Sequence, residues 1–441
     1  DMLNNNTVVK LFEQVDISNL NFEDTLNLKQ MKKEFLYFRA LPKELIDKKI
    51  LISTNCEGNW RKAKKESKFN IVKNDLEKLV NIVKEESNIL SDFYQCSRYD
   101  AMLKKYEESY SYDEIRVFFN ELTPFLQKAY KTAKEKQKQK NYYPLTESLS
   151  EKQQFSLAHF FMKKLGFDFG KGRLDISPHP FCGGGIDDIR ITTRIDKSNT
   201  FSFFEAIIHE TGHALYELGL PTKWKHQPAG KSGGMALHES QSLFYEMHVF
   251  KSIEFKKYFS AILEKKLNLT GKVWEAENLN LISNLVNKQY IRVDADEITY
   301  PLHVLLRLNI EHKIIEQDLK VSNLPEVWNE EFNKIFNFKV NNDSNGCLQD
   351  IHWFTGDFGY FPTYTLGAMI AAQINFSIQE NIPDFKKQIL RGNFSILKKW
   401  LSKNIHKKAS FFNTKEIIKQ ITNNKLKSCY FIDYITSKYL N

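Results

Sequence analysis

The residues with the greatest chemical capacity in this 441-residue chain stand together as His209-Glu210-Thr211-Gly212-His213. An H-E-x-x-H spacing on a helix puts two imidazoles on one face, so both can reach a single cation. Glu210 then lies beside the open coordination position, where a carboxylate can take a proton from water. The flanking Phe203, Phe204, Ile207, Ile208, Ala214 and Leu215 predict a buried helix that holds both histidines rigidly, although Gly212 in its middle weakens that helix. A catalytic zinc takes three protein ligands and keeps one position open. Glu217, one turn beyond His213, is rotated partly off the metal face. Glu239 is the better third ligand: Gly233-Gly234 precede the amphipathic stretch MALHESQSLFYEMHVF (235–250), which leaves enough chain for a loop and a returning helix. The competing reading of Glu239 is a helix-start carboxylate favoured by the macrodipole.

The elements that must position these groups follow from periodicity. All eleven histidines fall between His159 and His406, so histidine chemistry belongs to the later two-thirds. The first third reads as helices, with Leu76, Leu79, Ile82 and Val83 at helical spacing. Residues 136–154 lose that periodicity and carry Pro144, which predicts a joint between an N-terminal helical lobe (1–145) and a catalytic lobe (146–441), or one continuous domain. Ser148 or Ser150 is placed to cap the helix that follows. SPHPFCGGG (177–185) reads as loop and DDIRITTRID as a strand, within a sheet of two or three strands. Gly183–Gly185 is no phosphate loop, because no G-K-[ST] follows. After Phe201 the chain reads as helical, with loops at 219–234, 291–300 and 339–363.

Composition narrows the function classes. Lys and Arg number 63 against 54 Asp and Glu, a net charge of +9. That excess is modest, and its densest run, Lys128 to Lys140, reads as a solvated helix face without the interleaved aromatics of a nucleic-acid groove, so no nucleic-acid partner is expected. No apolar run reaches about 18 residues, the length that suggests a membrane span. The opening DMLNNNTVVK lacks a secretory pattern. Five scattered cysteines without a C-x-x-C spacing argue against a disulfide framework. A soluble protein of a reducing compartment, without a membrane partner, is the expectation. Neither Cys182 nor Cys347 has a thiolate-activating neighbour, and His159, His248, His303, His312 and His406 read as fillers of helical stretches.

At this point six ordered motifs make the sequence resemble the M32 metallocarboxypeptidases (carboxypeptidase Taq type). They are His179-Pro180-Phe181, Asp188-Ile189-Arg190-Ile191-Thr192, the H-E-x-x-H at 209–213, His238-Glu239-Ser240-Gln241, the segment Ile291 to Asp296, and the segment Gly346 to Trp353. The match is close from Ser177 to Gln373 and looser outside, with only patches such as 60–69 and 99–108 in the first third. The resemblance implies a mainly α-helical, two-lobed, gluzincin-like metallopeptidase with a small β-sheet beside the active-site cleft. It implies Zn²⁺ held by His209, His213 and Glu239, with Co²⁺ as a substitute, and Glu210 as general base. The implied substrates are peptides with a free C-terminus, from which single residues are released with broad tolerance; the implied setting is a cytoplasmic homodimer.

An exopeptidase needs a fixed cation for the terminal carboxylate, and the planar guanidinium fork of arginine suits it. Arg292 is expected in that role, with Arg190 bracing its own loop. Tyr360 and His238 are candidates to stabilise the oxyanion. His352 and Asp350 are expected to line or brace the pocket. His179 is equally a substrate contact or a loop histidine held by its neighbours. The runners-up are a zinc oligopeptidase or endopeptidase of the same helical type and an inactive metal-binding scaffold; retention of Glu210 argues against the latter.

Overall fold

Apolar residues at helical spacing run through nearly the whole chain, and the structure, a computed structural model, follows them into helices. It describes residues 6–145, 149–177, 181–195 and 200–441, the side chain of Thr200 excepted. Ser148 and His179, singled out above, lie outside the described residues. Ser150 caps the Glu151–Leu165 helix, with Gln153 reaching back to complete a capping box.

The chain forms two compact units, Asp1–Tyr130 with Asn287–Thr365 and Lys131–Val286 with Leu366–Asn441. The division expected at 145/146 therefore falls inside the second unit. In the first unit the Lys43–Glu66 helix packs on Lys73–Tyr94, and Tyr300–Glu316 on Leu324–Phe336. Leu76, Leu79, Ile82 and Val83 are all buried. Trp60 Nε1 donates to the Leu348 carbonyl at 2.8 Å, tying the Lys43–Glu66 helix to the segment before His352. In the second unit an aromatic core of Phe161, Phe204, Phe250, Phe255 and Phe259 packs beneath the Thr200–Gly219 helix. Each buried ring contributes about 1.5–3 kcal/mol, so this cluster is a firm base for the helix that carries His209 and His213.

A three-stranded sheet completes the second unit: β1 (Gly172–Ile176), β2 (Phe181–Gly185) and β3 (Asp188–Thr193), in the order β1-β3-β2. The expected strand is the central one, with Ile189 and Ile191 fully buried. The glycine-rich stretch expected as loop is instead β2, antiparallel to β3 with Phe181 opposite Thr192 and Gly185 opposite Asp188. Glycine suits this edge position because the strands approach too closely for a side chain. Gly184 has φ +110°, and a Cβ there would sit 2.0 Å from the Asp188 carbonyl oxygen. The sheet lies against the Thr200–Gly219 helix. Among the described residues no helix is long and apolar enough to cross a membrane.

Candidate metal centre and active site

The H-E-x-x-H segment lies in the Thr200–Gly219 helix, and Glu239 in the Met235–Leu243 helix that returns beside it. Gly212 is the residue that permits this pairing: a Cβ there would lie 2.6 Å from Ser242 Cα and 2.7 Å from the Gln241 carbonyl oxygen. The helix-weakening glycine is thus a contact point between the helix that carries His209 and His213 and the helix that carries Glu239. Gly367 allows a similar approach beside Glu239, where an added Cβ would meet Glu239 Cγ at 2.8 Å.

One donor atom from each of His209, His213 and Glu239 lies within 4.8 Å of the others. Glu239 Oε1 is 3.9 Å from His209 Nε2, and Oε2 is 3.3 Å from His213 Nε2. The far nitrogen of each imidazole is already engaged. His209 Nδ1 is 2.7 Å from Glu246 Oε2, and His213 Nδ1 is 2.7 Å from His238 Nδ1. Lys251 holds Glu246 at 3.0 Å and Glu205 at 2.5 Å. His238 Nε2 reaches Glu217 Oε1 at 2.8 Å. Two half-buried imidazoles and one buried carboxylate, oriented from behind, fit a divalent cation of borderline character such as zinc.

The protein groups alone already set a steep electrostatic pattern. Burial works against charge on His209, but Glu239 and Glu246 outweigh it and push its pKa up to about 10. Burial pushes His213 down to about 4. Burial also pushes Glu210 up to about 7. Glu246 and Glu239 both stay below the usual carboxylate range despite burial. Lys251 and His209 hold Glu246 down, and His209 and His213 hold Glu239 down. A bound cation adds its own charge and favours neutral imidazoles.

The remaining candidates fall into separate groups. In the first unit, Arg292 donates to Asp350 through Nε at 3.2 Å and Nη2 at 2.9 Å, and through Nη1 to the Tyr300 hydroxyl. Arg307, fully buried, donates to the same Asp350 through Nε at 2.7 Å and to Gln349 Oε1 at 2.7 Å. Two guanidinium groups thus face one carboxylate. His352 Nε2 lies 3.2 Å from the Tyr364 hydroxyl, and its ring is 5.4 Å from that of Tyr360. Glu311 fixes the approach to Tyr360 by accepting from Gly359 N (3.0 Å), Tyr99 (2.6 Å) and Trp353 (2.8 Å). In the second unit Arg190 is exposed and pairs with Asp188 at 2.8 Å, a brace along β3.

Sequence reasoning passed over Glu246, Lys251, Glu205, Arg307 and Glu311, gave Gln349 no role within the Gly346 to Trp353 motif, and considered Glu217 only as a ligand. Glu246 had one available signal, its place on the same helical stretch as Glu239. Arg307 and Glu311 had none, because an isolated charge in a helix reads as a solvated face.

A helical fold with a His–His–Glu donor set beside a glutamate defines a metallopeptidase. The carboxypeptidase Taq (M32) metallopeptidase family matches residues 2–439. The thermostable carboxypeptidase 1 of Pyrococcus furiosus is 31% identical over 427 residues, covering 96% of this chain and 85% of that protein. Carboxypeptidase 1 of Bacillus subtilis is 31% identical over 447 residues, covering 100% and 89%. Among solved structures, Trypanosoma cruzi metallocarboxypeptidase 1 superposes with a TM-score of 0.96 at 29% identity, over 100% of this chain and 89% of that one. The chain belongs to the carboxypeptidase Taq (M32) family: it is a metallocarboxypeptidase, a peptide hydrolase that uses a metal ion.

Proposed function

We propose that the protein is a zinc-dependent carboxypeptidase that releases single C-terminal residues from peptides with broad side-chain tolerance. The observation that carries this reading is the convergence of His209, His213 and Glu239 within 4.8 Å, with Glu210 next to His209 on the same helix. These three residues would hold the ion, with cobalt as a workable substitute for zinc. When bound, zinc polarises a carbonyl as a Lewis acid and lowers the pKa of water towards about 7. Glu210 takes the proton from the attacking water and returns it to the departing amine. A carboxylate whose burial holds its pKa near neutrality suits both halves of that transfer.

Terminal-carboxylate selectivity is assigned to Arg292. Two guanidinium charges against the single Asp350 carboxylate leave one positive charge over, which matches one carboxylate of a substrate. Asp350 braces that group, and His352 is assigned a place in the lining of the pocket. Tyr360 is assigned the oxyanion contact, because both ring nitrogens of His238 are engaged within the second unit. The protein acts, on this reading, as a cytoplasmic homodimer with no nucleic-acid or membrane partner.

The test is a set of peptides with free or amidated C-termini, incubated with chelated and zinc-restored protein and followed by mass spectrometry. Stepwise loss of terminal residues from the free acids only, abolished by chelation, is expected. Internal cuts that ignore amidation would replace the reading with an endopeptidase, and absence of cleavage in the zinc-loaded protein would leave a scaffold.

A further inference from the structure

We propose that His238 and Glu217 form a two-link relay that fixes the tautomer of His213 and thereby sets the metal affinity of the site. The inference rests on His213 being a metal ligand and extends that reading to two residues that touch neither metal nor substrate.

The argument is one of proton placement. His213 Nδ1 and His238 Nδ1 are 2.7 Å apart, a distance at which one nitrogen carries the hydrogen and the other accepts it. On the far side, His238 Nε2 is 2.8 Å from Glu217 Oε1, and an ionised carboxylate only accepts. The hydrogen on that side therefore belongs to His238 Nε2. A neutral His238 is then bare at Nδ1 and must accept, so the proton between the rings sits on His213 Nδ1. His213 Nε2 is left with its lone pair, on the side of Glu239 Oε2 at 3.3 Å. The opposite placement, with His238 donating from Nδ1, would put the hydrogen of neutral His213 on Nε2 and remove the ligand. Of the two placements, only the first satisfies both contacts and keeps His213 able to bind.

The two histidine ligands are consequently supported in different ways. His209 meets its carboxylate, Glu246, directly, and Lys251 anchors that carboxylate. His213 reaches its carboxylate through an interposed imidazole. His238 is held for the task by its position in the first turn of the Met235–Leu243 helix and by the Tyr216 ring, whose centroid lies 5.3 Å away. Glu217 stands at the outer end, on the wall of a cavity of about 510 Å³ that Lys225, Gln227 and Ser232 also line. It can therefore be altered at the edge of the unit instead of within its core. Outer partners of metal-bound histidines typically change metal affinity by about 10- to 100-fold when removed.

The experiment measures the zinc dissociation constant of the full chain by competition with a chromophoric chelator. The variants are Glu217→Gln, His238→Phe and His238→Asn, each with a circular-dichroism check of folding. His238→Phe keeps a ring but offers no acceptor, and about 10- to 100-fold weaker zinc binding is expected. In His238→Asn the Oδ1 atom can accept in place of Nδ1, so much of the affinity should return. Glu217→Gln should bind zinc more weakly than the unaltered protein, because the carboxylate that polarises His238 is gone. Nitrogen-15 NMR of the zinc-loaded protein should find the His213 proton on Nδ1. A folded His238→Phe protein with unaltered zinc affinity, or an Asn variant as weak as Phe, would overturn the relay. Should His238→Phe not fold, unaltered zinc affinity in Glu217→Gln overturns it instead. His213→Ala separates the two levels: if that variant keeps full zinc stoichiometry, the underlying ligand assignment fails and not merely the relay.

Discussion

On the proposed mechanism Glu210 is a base when a turnover begins and an acid when it ends, and burial, which pushes its pKa up to about 7, suits one carboxylate to both. Glu210→Gln keeps the shape of the side chain and removes the proton acceptor. The expected result is a kcat lower by about 10²- to 10⁴-fold with zinc content unchanged by metal analysis. Retained turnover would remove Glu210 from the mechanism. At this scale the sequence was most informative where chemistry imposes a fixed spacing, as it does for His209, His213 and Glu210. It was silent where a residue acts through another. Glu246 offered only its place on the same helical stretch as Glu239, and Glu217 only its spacing from His213; they acquire their role because the fold sets their oxygens 2.7 and 2.8 Å from imidazole nitrogens. His238 shows the converse. Its motif marked it for function, but the geometry places it behind His213, facing Glu217.

Between elements, the decisive contact is glycine against backbone. In isolation Gly212→Ala should favour the helix by about 1 kcal/mol. Here the added Cβ would lie 2.6 Å from Ser242 Cα, and an overpacked contact of that kind costs about 1–3 kcal/mol. Overpacking should win. A lower melting temperature is expected in the metal-free variant, and weaker zinc affinity because the helix carrying Glu239 is displaced. A rise in melting temperature would show that the helices separate at little cost. A second element-level prediction concerns Glu311, whose three donors tie the Tyr300–Glu316 helix to the Arg98–Lys104 and His352–Thr355 helices and to Gly359. Burial pushes its pKa up to about 7 from the ordinary 4.5, so the folded state holds the proton more tightly than the unfolded chain. Stability should therefore fall as pH rises from about 4.5 to 7 through this group. Glu311→Gln should lack that component, seen as a flatter difference in melting temperature between pH 5 and 7.5; parallel profiles would show that Glu311 does not titrate in this window. Helices such as Lys73–Tyr94 were readable because they bury a periodic apolar face, whereas β2 was not: Gly183–Gly185 carries no strand pattern, and only its pairing with β3 makes it one.

At the scale of the molecule, the chain crosses between its two units three times, after Tyr130, Val286 and Thr365. Two of these crossings fall inside the helices Tyr112–Lys138 and Pro362–Asn381, which run on through the boundary without a break. A joint sought through loss of pattern and a proline therefore lands at 145/146. All three proposed metal ligands and their supporting carboxylates belong to the second unit, whereas the Arg292–Asp350–Arg307 cluster belongs to the first. Zinc bound only by the folded second unit should stabilise it by about 2.7 kcal/mol at a free concentration one hundred times the dissociation constant. Chelation should reverse that gain locally. Hydrogen exchange followed by mass spectrometry, with and without zinc, should show protection lost on chelation in peptides covering 200–219 and 235–250. Peptides covering 73–94 and 300–316 should exchange at nearly the same rate in both samples. Equal loss in both sets would mean that the units open together and that the metal stabilises the whole chain. No loss in either would mean that zinc is not held by His209, His213 and Glu239.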